Sequence, residues 1–137
     1  RGLGDVYKRQ FLRYADIVLI FAEAANELNG PTKESVDALN DVRTRSNATG
    51  KELANFTDKT SLRSAILEER AMELALEGDR RWDLIRWGIY LQAMNALGGM
   101  DEANNVKQRS SKHLLFPIPT LEILTNQGIN ENNPGWD

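Results

Sequence analysis

The sequence has 137 residues, of which 41% are hydrophobic and 27% charged, a composition typical of one globular domain and not of a disordered chain. Its net charge of −3 provides no basic surface to attract nucleic acid. There is no cysteine and only one histidine, His113, which excludes disulfides, thiolate zinc sites and cysteine nucleophiles.

The first ten residues, RGLGDVYKRQ, differ in character from the rest of the chain. They show no hydrophobic period and resemble a translated adapter or vector sequence. We therefore expect residues 1–10 to be non-native or disordered, and the folded domain to comprise residues 11–137.

Residues 11–50 predict two helices joined by a tight turn. Small and apolar residues recur at helical spacing over 11–29, and Asn29-Gly30-Pro31 is typical of a helix end. A second helix is predicted from near Thr32 to about residue 47, with Val36, Leu39 and Val42 on one face. The pair would form a helical hairpin similar in size to one tetratricopeptide unit.

A second helix pair is predicted further along the chain. Thr60 or Ser61 would cap a third helix that runs to about Glu77. Gly78 would end it, and Asp79 would cap a fourth helix over residues 80–96.

The remainder is predicted to be irregular. Residues 98–113 are typical of an exposed loop, and LLFPIP (114–119) of an extended segment that its prolines exclude from a central strand. A short helical turn is predicted at 120–124. The fold class is therefore all-α: a tetratricopeptide-like hairpin, a second helix pair, irregular loops and an extended C-terminal segment.

One run, ERAMELALEGDRRWDLIRWG (69–88), combines charged residues with two tryptophans. It favours a structural clamp, because arginine can bond a carboxylate and stack on an indole ring at once. A ligand site remains the less favoured interpretation. The residues of the predicted clamp are Glu69, Arg70, Glu73, Glu77, Arg80, Asp83, Arg86 and Trp87.

Two catalytic interpretations of the same run are weaker. Glu69, Glu73 and Glu77 share one helical face, whereas glycosidase carboxylates must flank a substrate ~5–9.5 Å apart. A di-iron site would need Glu-x-x-His motifs, and no glutamate here has a histidine three residues on. No metal or other cofactor is predicted.

Four segments in order resemble the SusD/RagB family. They are RYADIVLIFAEAANELNG (13–30), ALNDVRTRS (38–46), the run at 66–88 with its E-R-x-x-E-L-x-x-E-G-x-R-x-x-D-L-x-R-W-G pattern, and LLFPIPTLEI with NENNPGWD (114–137). The resemblance covers residues 11–137 and implies the C-terminal part of a longer protein.

The resemblance implies a function that is not enzymatic. Members of the family are surface-exposed outer-membrane lipoproteins of Bacteroidota that bind glycans or other nutrients and partner a SusC-like TonB-dependent transporter. The lipid anchor would lie on an N-terminal part that is missing here. The clamp would then be a scaffold element of the family.

Ligand contacts from this chain are predicted at Asn104, Asn105, Arg109 and Trp136, because sugar recognition combines an aromatic ring with polar partners. Two other functions remain open: an intracellular tetratricopeptide-type adaptor that binds peptides, and a helical glycoside hydrolase that uses two of the three glutamates. Without the rest of a helical array, residues 11–29 and 36–43 are expected to expose apolar faces.

Overall fold

The structure, a computed structural model, describes residues 12–97 and 108–136. This part of the chain holds six α-helices and no β-strand, which confirms the predicted all-α class. The helices are α1 (Tyr14–Asn29), α2 (Lys33–Arg45), α3 (Lys59–Glu73), α4 (Arg80–Arg86), α5 (Tyr90–Ala96) and α6 (Thr120–Thr125). Two 3₁₀ turns lie at Leu53–Asn55 and Ser111–Leu114. The chain divides into two compact units, residues 1–80 and 81–137.

The first unit contains the predicted helical hairpin. Gly30 ends α1 with φ +82°, a conformation that glycine adopts without strain, and its N–H donates to the Asn26 carbonyl at 2.8 Å. Thr32 then caps α2, and its hydroxyl accepts a hydrogen bond from the Ser35 N–H. The prediction for this turn is confirmed.

The core of the first unit lies where α1 and α2 meet α3. The predicted stripes face it: Leu19, Leu39, Leu62 and Ile66 are completely buried. Burying each such side chain contributes about 1.5–3 kcal/mol. The other buried apolar residues of this core are Ala15, Ala22, Val36, Ala38 and Val42.

The start of α3 differs from the prediction. Asp58 is the N-cap, and its carboxylate accepts a hydrogen bond from the Ser61 N–H at 2.8 Å. Ser61 returns the contact, because its hydroxyl donates to the Asp58 carbonyl at 2.7 Å. Thr60 and Ser61 therefore lie inside the first turn, and the expected cap at either position is wrong.

The end of α3 also differs. The helix stops at Glu73, four residues before the predicted end at Glu77. Leu76 has φ +66° and is fully exposed, and Gly78 has φ +99°. Two left-handed residues so close together cannot continue a right-handed helix.

The second unit corrects the prediction of one helix over residues 80–96. Helix α4 ends at Arg86, because Gly88 has φ +71° and forms a Schellman end. The Gly88 N–H donates to the Ile85 carbonyl and the Ile89 N–H to the Leu84 carbonyl, both at 3.0 Å. Helix α5 then starts two residues later.

The C-terminal segment is extended where the prolines predict it. Asn132 bonds both backbone groups of Ile118: its Oδ1 accepts from the N–H at 2.7 Å, and its Nδ2 donates to the carbonyl at 3.3 Å. Asn133 Nδ2 donates to the Phe116 carbonyl at 2.7 Å. Two asparagine side chains thus take the place of a neighbouring strand.

Candidate functional site

Two buried members of the predicted clamp pair across the first unit. Glu69 and Arg70 are 3% and 5% exposed on α3. Glu69 forms an ion pair with Arg43 of α2, and Arg70 Nη1 donates to Asp16 Oδ1 of α1 at 2.7 Å. One turn of α3 is therefore tied to both helices of the hairpin.

The next turn repeats this arrangement. Glu73 accepts from both Arg13 and Arg45, and Glu77 also binds Arg13. Arg13 Nη1 further donates to the Glu73 carbonyl at 3.1 Å. The Glu77 carboxylate, followed by that of Glu73, raises the pKa of the Arg13 guanidinium above its usual value. We call the pairs made by Glu69, Arg70, Glu73 and Glu77 the α3 ion network.

The α3 ion network contains partners that the sequence alone did not reveal. Asp16, Arg13, Arg43 and Arg45 were not singled out from the sequence. The Arg70–Asp16 contact joins positions 54 residues apart, so no local spacing indicates it. Glu77 lies beyond the end of α3 and binds Arg13, at the N-terminal end of α1.

The remaining clamp residues lie around α4. Arg80 Nη1 donates to the Leu67 carbonyl at 3.2 Å. In the second unit, Arg86 Nε donates to Asp83 Oδ1 at 2.9 Å, and its guanidinium lies 5.3 Å from the Trp87 ring centroid. The Trp87 indole N–H is buried without a hydrogen-bond partner. The clamp role of these residues stays a prediction.

Arg81 contacts several elements of the second unit, and no local pattern in the sequence indicates this role. Its guanidinium lies 4.8 Å from the Tyr90 ring and 4.3 Å from the Phe116 ring. It also donates to the Tyr90 hydroxyl and to the His113 carbonyl, each at 2.7 Å. One side chain therefore joins α4, α5 and the extended segment.

Trp136 and Arg109 are the two predicted ligand residues that the structure describes. The Trp136 indole N–H donates to the Lys112 carbonyl at 3.0 Å, and Lys112 Nζ lies 4.8 Å from its ring. Arg109 bonds Asn95 through its backbone and leaves its side chain exposed. Asn104 and Asn105 lie outside the described residues.

A groove lies between α1 and α2. Its volume is about 690 Å³. The apolar wall comes mainly from α1, where Tyr14 is 84% exposed and Phe21 47%. The residues that line it are Tyr14, Ile17, Val18, Phe21, Lys33, Glu34, Asp37, Ala38 and Asp41. The expected exposed apolar face is therefore found on α1, whereas Val36, Leu39 and Val42 of α2 are buried.

The three glutamates considered for hydrolysis, Glu69, Glu73 and Glu77, are all bound to arginine. Within residues 12–97 and 108–136, no cluster of three acidic or histidine side chains could hold a metal ion. No helix in the described ranges is long and apolar enough to cross a membrane.

Comparison with known proteins decides the family. The SusD family model matches residues 4–136. The chain belongs to the SusD family. A crystal structure of a SusD homolog from Bacteroides thetaiotaomicron is 40% identical, superimposes with a TM-score of 0.74, and is matched over 92% of this chain and 26% of that one. The tetratricopeptide-like helical fold implied by the resemblance agrees with this similarity.

Curated SusD relatives give the same result. SusD-like protein P25 from Formosa agariphila is 40% identical over 126 residues, which cover 91% of this chain and 24% of that protein. The starch-binding protein SusD from Bacteroides thetaiotaomicron is 29% identical over 120 residues, covering 88% and 20%. The chain thus spans about a quarter of the length of the SusD relatives it matches.

Proposed function

We propose that this chain is part of a non-enzymatic protein that binds a nutrient, most simply a glycan or oligosaccharide, for uptake at the bacterial outer membrane. The observation that carries the proposal is the SusD family match over residues 4–136, together with a relative whose name records starch binding. The protein would act at the cell surface through a lipid anchor outside these residues, as the partner of a SusC-like TonB-dependent transporter.

The arrangement of side chains supports binding over hydrolysis. A glycosidase needs one carboxylic acid and one carboxylate on opposite sides of the substrate. The three glutamates of the run at 69–77 instead accept hydrogen bonds from Arg13, Arg43 and Arg45. These contacts support the predicted structural role of the three glutamates in the first unit.

Most ligand contacts would come from outside these 137 residues. Sugar rings stack on a free aromatic face beside polar groups. The Trp136 indole N–H is already hydrogen-bonded, and the Lys112 ammonium lies over its ring. The ring is therefore less accessible to a sugar than an uncovered aromatic face. The contribution of this chain would come from Asn104, Asn105, Arg109 and Trp136, and we expect the 137 residues alone to bind glycans weakly or not at all.

The test is isothermal titration of the full-length protein against a panel of neutral oligosaccharides. We expect micromolar binding to one class, with no new reducing ends after prolonged incubation. Binding to none of the glycans, or release of reducing ends, would contradict the proposal. Equally tight binding by the 137 residues alone would show that the main site lies within them.

A matched pair of variants tests the local contribution. Arg109→Ala in the full-length protein should weaken binding, because its exposed guanidinium can donate to sugar hydroxyls. Lys51→Ala, an exposed cation in the first unit, should leave affinity unchanged. The transporter partnership has a separate readout: the full-length protein should co-purify from outer membranes with a TonB-dependent transporter.

A further inference from the structure

His113, the one histidine of the sequence, lies at a capping position. It is the third residue of the 3₁₀ turn Ser111–Leu114, and Ser110 is the N-cap of that turn. The Ser110 N–H donates to His113 Nδ1 at 2.9 Å. In a capping box, a glutamate or glutamine at this position accepts from the same N–H. His113 therefore takes the role of a capping residue with a side chain that is protonated near neutral pH.

The capping contact requires a neutral imidazole. One nitrogen of a neutral ring accepts and the other donates, whereas both nitrogens of a protonated ring donate. The Ser110 nitrogen is closer to Nδ1 than the Ser110 carbonyl oxygen, which is 3.2 Å away, so Nδ1 is the acceptor. Protonation would place an Nδ1–H against the Ser110 N–H. The ring would then have to turn towards the Ser110 carbonyl oxygen, which already accepts from the His113 N–H at 2.9 Å.

The charged groups around the ring also oppose its protonation. Arg81 of α4 donates to the His113 carbonyl at 2.7 Å. The Lys112 ammonium lies 4.8 Å from the centroid of the Trp136 ring, and the His113 ring centroid lies 5.6 Å from it. Within the part of the chain that the structure describes, His113 forms no ion pair with a carboxylate; Asp137 lies outside the described residues. Nearby cations disfavour a further positive charge.

The carbonyl oxygens of the turn hold two other parts of the second unit. The His113 carbonyl binds Arg81 of α4, and the Lys112 carbonyl accepts from the Trp136 indole N–H at 3.0 Å. The Trp136 ring also packs edge to face against the His113 ring, with 74° between the two planes. Both oxygens are positioned by the 3₁₀ turn. A change in its cap therefore affects α4 and the C-terminal tail, residues 126–136.

We propose that His113 is a pH-sensitive cap: at mildly acidic pH, its protonation opens the 3₁₀ turn at Ser111–Leu114 and loosens the C-terminal tail. The folded turn favours the neutral ring, so the unfolded chain binds more protons. The stability that the cap contributes is therefore present at the alkaline end of the imidazole range and is lost as the pH falls. That range extends from about pH 8 to about pH 5. The inference concerns conformation and holds whichever nutrient is bound.

Hydrogen exchange of the full-length protein, followed by mass spectrometry, tests the proposal. The measured quantity is the protection of the peptide that contains residues 110–116, relative to the unfolded protein at the same pH. We expect this protection to fall at least about tenfold between about pH 7.5 and about pH 5.5. The peptide of α1, residues 14–29, is the internal control and should keep its protection over the same range.

His113→Gln is the matched variant. Glutamine can accept from the Ser110 N–H at the same capping position and is not protonated in this pH range. The variant should keep the protection of residues 110–116 at both pH values, whereas His113→Ala should lose it at both.

Four outcomes would overturn the proposal. The unmodified protein could show no change with pH, or His113→Gln could show the same change. His113→Gln could also be as unprotected as His113→Ala at the higher pH, which would refute the capping role. A loss of equal size in residues 14–29 would assign the effect to the whole protein and not to the turn.

Discussion

The two units of the chain are stabilised in different ways. The first unit has helices of 16, 13 and 15 residues around an aliphatic core, with the α3 ion network at one end. The second has helices of seven, seven and six residues. Helices that short are marginal by themselves, so the second unit depends on side chains that bond backbone groups and aromatic rings. The first unit is therefore stabilised mainly by packing of regular helices, and the second mainly by specific side-chain contacts.

Removing Arg70 should have the largest effect. Arg70→Ala removes the buried guanidinium that forms an ion pair with Asp16. Breaking a buried ion pair lowers the free energy of unfolding by about 3–5 kcal/mol. The lower free energy of unfolding should be measured in a urea titration that is monitored by far-UV circular dichroism. This signal reports mainly the long helices of the first unit. Arg63→Ala removes an exposed pair with Glu27 and should cost less than about 1 kcal/mol. Equal losses in the two variants would contradict a buried network.

Arg81→Ala should selectively destabilise the second unit. It removes two hydrogen bonds and two ring contacts, and charged hydrogen bonds contribute about 1.5–3 kcal/mol each before relaxation. All three tryptophans lie at positions 82, 87 and 136, so tryptophan fluorescence reports this unit alone. The midpoint of the fluorescence transition should move to a lower urea concentration, and the midpoint of the circular dichroism transition should move less. Coincident shifts would show that the two units unfold as one.

The Glu27–Arg63 pair should give the smallest effect, and it depends on pH. The hydrogen bond from Arg63 lowers the pKa of the Glu27 carboxyl below its usual value of about 4.5. A lowered carboxyl pKa contributes stability above pH 4.5 that is lost as pH falls through the folded pKa. Glu27→Gln should therefore reduce the melting temperature slightly at pH 7 and not at pH 2–3. A variant that is equally destabilised at both pH values would contradict this cause.

The sequence predicted the regular elements of the first unit well. The stripes of α1, α2 and α3 follow from apolar spacing, and Gly30-Pro31 indicates the turn between α1 and α2. The start of α3 was misplaced because Asp58, Thr60 and Ser61 are all good capping residues. Only the bond between Asp58 and the Ser61 N–H distinguishes them.

The second unit was harder to predict for a physical reason. The apolar period continues from Trp82 through Ile89, so it conceals the helix end that the φ angle of Gly88 imposes. Arg81 and Asn132 act on residues 35 and 14 positions away, respectively. Contacts of that kind are set by the folded geometry and leave no local pattern. The ligand residues remain predictions.

The asparagine contacts of the extended segment also protect it from aggregation. LLFPIP is an apolar stretch in which Leu115 and Phe116 are more than half exposed, and such a stretch could recruit a strand from another molecule. Its residues 117–119 offer no free N–H, because two are prolines and the third donates to Asn132. In the folded chain these positions are therefore closed to intermolecular β-pairing although the side chains beside them are apolar.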